Sequence, residues 1–219
     1  MNGLPESPPE DPLREAISWL NEATEAAVQR HANAMTLATV GADERPSARV
    51  VLLKDLSPSE GFATFYTHYE SRKAIEIGAT GYGAAVLHWD KLGRQIRFEG
   101  PIVRAPETDS DAYFATRPLG SQINAWVSAQ SRPLDSIESL AASAKQKMSE
   151  LGVDAGENDG GTVARPDFWG GYRLWFDALE FWLEGTDRFH DRLRYERELT
   201  ARDQHGFDAG PWNWQRLQP

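Results

Sequence analysis

The chain has 219 residues, 40% of them hydrophobic and 26% charged, with a formal net charge of −10 and no cysteine. The acidic balance argues against a nucleic-acid backbone as partner. The absence of thiols excludes disulfides, thiolate catalysis and cysteine–metal sites. No apolar run reaches the ~18 residues a membrane-spanning helix needs, so a cytoplasmic protein with one substantial core is expected.

Residues 1–10 are proline-rich and acidic, without the basic and apolar regions of a signal peptide, and are predicted to be a disordered leader. Residues 11–219 are predicted to form a single domain. Asp11-Pro12 reads as a helix start, and Leu13, Ile17, Leu20, Ala27 and Val28 give an apolar stripe to about residue 29. Strands are predicted over 35–40, 47–56 and 62–67, separated by turn-forming segments rich in glycine and proline. A short helix over 70–77 follows, with Ser71 as its N-cap, then strands over 82–89 and 94–104. Helices are expected at 107–116, 120–130 and 135–151, and a loop at 152–166. Strands resume at 172–176, 179–183, 188–197 and 212–217, with a polar loop over 199–210. Strand pairs joined by short turns predict an α+β fold, mainly antiparallel, with a sheet able to curl into a barrel.

The chemistry-bearing residues are cations set beside apolar strands. Arg49 and Lys54 bracket an apolar run, where charges leaving water need partners. Strict alternation places these two on opposite faces, so they serve one cleft only if a bulge or strand end re-aims one of them, or if they serve different subunits' sites. Tyr66, Thr67, Ser71, Arg72 and Lys73 cluster at a helix start, a ready site for phosphate. Tyr113 and Arg117 are four apart and share a helical face, with Ser121 opening the next helix and Gln130-Ser131 further on. Gln95 is a polar residue in a half-buried strand. Arg188, His190 and Arg192 alternate along a predicted strand and would share one face, with Phe189, Leu193 and Tyr195 on the other. Trp182 would add a flat wall. The five histidines lack paired ligand spacing, and no metal site is expected.

Taken in order, Arg-Val-Val-Leu-Leu-Lys, Phe-Tyr-Thr, Glu-Ser-Arg-Lys, Arg-Gln-Ile, Tyr-Phe-x-x-Arg-Pro-x-x-Ser-Gln-Ile, Trp-Gly-Gly-Tyr and Glu-Phe-Trp…Arg-Phe-His-Asp-Arg resemble the pyridoxine/pyridoxamine 5′-phosphate oxidase family over residues 33–219. The resemblance implies an FMN-binding split β-barrel, a homodimer, and one FMN in each of two clefts between subunits. It implies FMN contacts from Arg49, Tyr66, Thr67, Arg72, Lys73, Gln95, Gln130, Ser131, Trp182 and Arg192. Lys54, Tyr113, Arg117 and Ser121 would hold the substrate phosphate, and Arg188 and His190 would lie against the substrate ring. The implied reaction oxidises a phosphorylated B6 vitamer to pyridoxal 5′-phosphate, with O2 as acceptor. Two rivals remain: a same-fold flavin oxidase of phenazine biosynthesis, and a flavin- or pyridoxal-phosphate-binding protein without turnover. The chain departs from the family pattern at its N-terminal segment, which lacks the basic, tyrosine-containing lid sequence, at Asn124, where glycine is usual, and in the long 152–166 loop.

Overall fold

The computed structural model describes residues 3–153 and 163–219. Helix α1 (Leu13–Glu25) opens the domain, and Asp11 Oδ1 accepts the Leu13 N–H at 2.9 Å. Leu13, Ala16, Trp19 and Ala23 are its buried stripe. The helix stops short of residue 29, and Ala27, at φ +46°, lies in the left-handed region that cannot continue it. Strands β1 (Ala34–Val40) and β2 (Pro46–Leu52) form a hairpin, and β3 (Asp55–Leu56) pairs with β4 (Phe62–His68). Helix α2 (Arg72–Thr80) ends at Gly81, whose φ of +66° suits glycine. Strands β5 (Tyr82–Trp89) and β6 (Arg94–Arg104) pair antiparallel. Helices α3 (Glu107–Ala115), α4 (Leu119–Val127) and α5 (Ile137–Leu151) follow. The chain closes with β7 (Trp169–Trp175), β8 (Ala178–Leu183), β9 (Asp191–Glu196), β10 (Leu199–Asp203), β11 (Gly206–Ala209) and β12 (Asn213–Leu217).

The main sheet runs β12-β9-β8-β6-β5-β1-β2, with β4 and β7 joined to it through β6. Strand β6 makes the curl. Its first half pairs with β8 and its last residues, Ile102 to Arg104, pair with β7. The switch falls at Gly100 (φ +153°), where a Cβ would lie 1.8 Å from the Trp175 carbonyl oxygen, so only glycine fits. Alternate side chains of the curled sheet, among them Leu37, Leu87, Ile96, Phe98, Leu174, Phe181 and Leu193, fill the core. Trp19 of α1 caps one side, edge-on to Phe181 at 5.0 Å. The architecture is the expected α+β, mainly antiparallel half-barrel. No helix among the described residues is long and apolar enough to cross a membrane.

Three local expectations are corrected. The strand expected from Arg188 begins at Asp191, because residues Thr186–Arg188 form a tight 3-10 turn with Asp187 and Arg188 at φ +53° and +64°. Phe189 therefore faces solvent, 79% exposed, instead of joining Leu193 and Tyr195 in the core. The strand expected over 47–56 breaks after Leu52 and changes partner, since β2 pairs with β1 and β3 with β4. The polar loop expected at 199–210 holds the β10–β11 hairpin, anchored by Phe207 against Trp175 at 5.6 Å and by an Arg202–Glu60 ion pair. Of the expected leader, residues 3–10 carry no helix or strand. Leu4 is nonetheless buried and donates its N–H to Asp191 at 2.8 Å, while Arg216 donates to the Pro5 carbonyl at 2.9 Å. Most of the loop expected at 152–166 lies outside the described residues.

Candidate active site

A cavity of about 1040 Å³ opens between β2, β4, the start of α2 and the α3–α4 connection. Arg49, Lys54, Tyr66, Thr67, Arg72, Lys73, Tyr113, Arg117, Ser121, Gln130 and Ser131 all line it, as does Asn124. Arg49 and Lys54 share it because the strand ends between them. Beyond Leu52 the chain changes sheet, with the Leu53 N–H on the Asn33 carbonyl and the Lys54 N–H on that of Thr64, at 2.9 and 2.8 Å. Alternation no longer applies across the break.

One end of the cavity is a wall of donors. Lys73 is buried and its Nζ donates to Thr67 Oγ1, Ser71 Oγ and Gln130 Oε1 at 3.0, 3.1 and 2.9 Å. Ser71 therefore serves the lysine instead of capping α2 through its side chain. The Arg72 backbone N–H donates to Ser131 Oγ at 3.2 Å, tying the loop after α4 to the helix start. Behind this wall sits a buried carboxylate, Glu76. It accepts from Thr39 and Ser47 hydroxyls at 2.6 Å each, from Arg49 at 3.0 Å and from Arg72 Nε at 2.7 Å. Burial alone would raise its pKa, but the hydrogen bonds outweigh burial and hold it at about 2. Burial, with the Arg49 charge second, brings Lys73 down to about 8.

The other end is aromatic and cationic. Tyr66 stacks on Tyr113 at 4.0 Å and on Trp169 at 5.6 Å. Burial, then the Asp109 charge, pushes the Tyr66 phenol up to about 12, so it stays a neutral donor. The Arg117 guanidinium lies 4.5 Å over the Trp169 ring, and its buried Nη1 has no hydrogen-bond partner among the described residues. Burial lowers its pKa, with Tyr113 opposing. Lys54 Nζ sits 5.5 Å from the Tyr113 ring centre, on the same side of the cavity.

Gln95, Trp182, Arg188, His190 and Arg192 do not line this cavity. Gln95, Trp182 and Arg192 stand abreast across β6, β8 and β9, on the face opposite the core residues Ile96, Phe181 and Leu193. His190 packs on Trp182 at 4.6 Å. Its Nδ1 accepts the Gly185 N–H at 3.3 Å, so in a neutral ring the proton sits on Nε2. Arg188 lies in the exposed turn, so the shared face expected for Arg188, His190 and Arg192 does not arise from strand alternation. The turn brings His190 beside Trp182 instead.

Sequence reasoning passed over Glu76, Trp169 and Glu180. Glu76 had a signal, since it lies four residues after Arg72 on one helix. Trp169 and Glu180 stood inside recognised motifs, but nothing in their spacing shows that one becomes a stacking wall and the other a buried counter-charge.

Comparison with known proteins bears on both clusters. Residues 20–147 match the family described as pyridoxamine 5′-phosphate oxidase, and residues 169–219 match the pyridoxine 5′-phosphate oxidase C-terminal dimerisation region. The chain is 46% identical to the pyridoxine/pyridoxamine 5′-phosphate oxidase of Paracoccus denitrificans, with 96% of each chain covered. It is 44% identical to the protein of the same name from Cupriavidus pinatubonensis, covering 95% of this chain and 89% of that one. PhzG from Burkholderia lata 383, solved with tetrahydrophenazine-1-carboxylic acid, is similar at TM-score 0.82 and 33% identity, over 98% of this chain and 95% of that one. A pyridoxamine 5′-phosphate oxidase-related, FMN-binding protein from Nostoc punctiforme shares the fold at TM-score 0.68 and 14% identity, over 95% and 97% of the two chains.

Proposed function

The chain belongs to the pyridoxine/pyridoxamine 5′-phosphate oxidase family, and on that premise we propose that it oxidises pyridoxine 5′-phosphate or pyridoxamine 5′-phosphate to pyridoxal 5′-phosphate. FMN is the cofactor, O2 the acceptor and hydrogen peroxide the second product. The observation that carries this reading is Arg117, a half-buried guanidinium beside the cavity with a buried nitrogen that has no partner among the described residues. A buried cation needs an anion, and Lys54, Tyr113 and Ser121 line the same cavity with further donors. Those four residues fit a substrate phosphate.

FMN fits the other end. Arg49, Arg72, Lys73 and Ser131 offer charge and hydrogen bonds to its phosphate, while Thr67 and Gln130 offer polar groups to the flavin. Tyr66 joins the two halves of the cavity. Bound there, FMN would accept a hydride from the substrate carbon bearing the alcohol or amine and return the electrons to O2. The protein's own part is to bind, orient and exclude water.

Gln95, Trp182 and Arg192 are proposed as further flavin contacts, and Arg188 and His190 as groups against the substrate ring. They lie apart from the cavity of their own chain, within or beside the region that matches a dimerisation segment. A homodimer would let each chain supply this second cluster to its partner's cleft. We take residues 11–219 as the single domain that does this, in the cytoplasm. The similarity to PhzG keeps a phenazine-type precursor as the rival substrate. The Lys54/Tyr113/Arg117/Ser121 set favours the phosphorylated B6 vitamer.

The test is the absorption spectrum of the FMN-loaded protein under anaerobic conditions. Pyridoxine 5′-phosphate should bleach the flavin band, and admitted air should restore it with release of peroxide. A protein bleached by a reduced phenazine carboxylate but not by the B6 phosphates would overturn the assignment.

A further inference from the structure

The face of β6, β8 and β9 turned away from the core carries two adjacent rows. Gln95, Trp182 and Arg192 form one; Arg97, Glu180 and Arg194 form the next. Glu180 is unlike its neighbours. Its side chain is only 2% exposed although it faces away from the core, whereas that of Arg192 is 25% exposed. Its Oε1 accepts Arg192 Nε at 2.9 Å. Its Oε2 is buried without a hydrogen bond from any of the described residues, with Arg97 and Arg194 nitrogens at 3.6 and 3.9 Å. Those two arginines are already bonded to Glu99, at 2.8 and 2.9 Å. A second contact fixes Arg192 from the other side, Nη1 donating to the Gln218 carbonyl at 2.9 Å.

A buried carboxylate is costly unless its partners compensate it. Here the compensation is incomplete at Oε2, while the one good hydrogen bond goes to Arg192. Fold stability alone would be served as well by an apolar side chain among the stems of three arginines. The geometry differs from that: Nε and Nη1 of Arg192 are both held, so the guanidinium plane is fixed and Nη2 remains to donate.

We propose that Glu180 is a positioning residue, which locks the Arg192 guanidinium in the orientation that meets the flavin. Arg97, Arg194 and Glu99 form the charged frame that keeps Glu180 in place. The inference rests on the reading of Arg192 as a flavin contact.

The experiment is titration of the apo-protein with FMN, followed by flavin fluorescence, on the wild type and on Glu180→Asp and Glu180→Gln. Aspartate keeps the charge but withdraws the acceptor from Arg192 Nε. Glutamine keeps the acceptor in place and removes the charge. Loss of a hydrogen bond to a charged group makes Glu180→Asp bind FMN about 10-fold more weakly or worse, while Glu180→Gln stays near the wild type. In an Arg192→Ala background the Glu180→Asp effect should vanish, since the residue acts through Arg192. Unchanged affinity in Glu180→Asp, equal loss in both variants, or a loss that persists without Arg192 overturns the inference. Failure of the wild type to bind FMN would instead overturn the functional reading on which it rests.

Discussion

Lys73 carries its charge where burial resists it, and the consequence is a pH limit on cofactor binding. Its pKa falls to about 8 because burial and the nearby Arg49 both disfavour the ammonium. A phosphate dianion would meet a full charge below that value and a neutral amine above it. FMN affinity should therefore hold to about pH 8 and weaken as pH rises further. Lys73→Arg, which cannot deprotonate in this range, should abolish the slope; fluorescence titrations of both proteins from pH 6 to 10 would check it. At the opposite end of the cavity, Arg117 is the residue on which the proposed phosphate selectivity would turn. Arg117→Ala should raise KM for pyridoxine 5′-phosphate by roughly 10- to 150-fold, the equivalent of one charged hydrogen bond of ~1.5–3 kcal/mol. FMN should remain bound, because Arg117 lies beside the aromatic end of the cavity and not the Lys73 end. Steady-state peroxide assays decide it, and equal efficiency with unphosphorylated pyridoxine would contradict it. Both residues stand out in the sequence, Lys73 in a cationic helix start and Arg117 four residues after Tyr113. Glu76 has only its spacing from Arg72 to mark it, because a glutamate on a short helix looks like surface charge until the sheet buries it against Thr39 and Ser47.

At the scale of elements, the strands were legible from alternation and the turns from glycine and proline, whereas changes of direction inside a run were not. Four apolar residues, Val50 to Leu53, precede Lys54, and nothing in them announces that the chain changes sheet there. The turn before β9 is a stronger case. Arg188, His190 and Arg192 alternate as a strand would, yet the backbone folds back through the Thr186–Arg188 turn, with Asp187 and Arg188 at positive φ and the Gly185 N–H on His190 Nδ1. A Cβ at Gly185 would lie 1.8 Å from the Phe189 carbonyl oxygen, so the turn depends on glycine at that point for reasons of space alone. Gly185→Ala should force the turn open and displace His190 from Trp182. Most of the turn is exposed, so the fold should survive and FMN should still bind, but turnover should fall by at least 10-fold if His190 contributes as an acid–base group. Flavin absorbance and anaerobic reduction rates on the same sample separate the two effects. Wild-type reduction rates would show that the turn's shape does not matter to the chemistry.

For the whole molecule, the proposed recognition residues of one chain lie in two places. The cavity cluster is built by β2, β4 and the helices, and the second cluster by β6, β8, β9 and the turn before β9. Each has a buried carboxylate behind its arginines, Glu76 in one and Glu180 in the other. A monomer would leave both half-built, whereas a two-fold dimer would pair each cavity with the other chain's second cluster and make two equal sites. Mixing two impaired variants, assayed at substrate concentrations far below the KM of Arg117→Ala, tests this directly. Arg117→Ala disables the cavity cluster and His190→Ala the second cluster. In a dimer with shared sites, a mixed pair places both defects in one cleft and leaves the other intact. Random re-association should therefore restore about a quarter of the wild-type sites, since about half the dimers are mixed and each has one good site of two. Sites contained within single chains would give no recovery on mixing. Recovery that appears only after subunit exchange, with light scattering showing a dimer throughout, would place the second cluster in the partner's cleft.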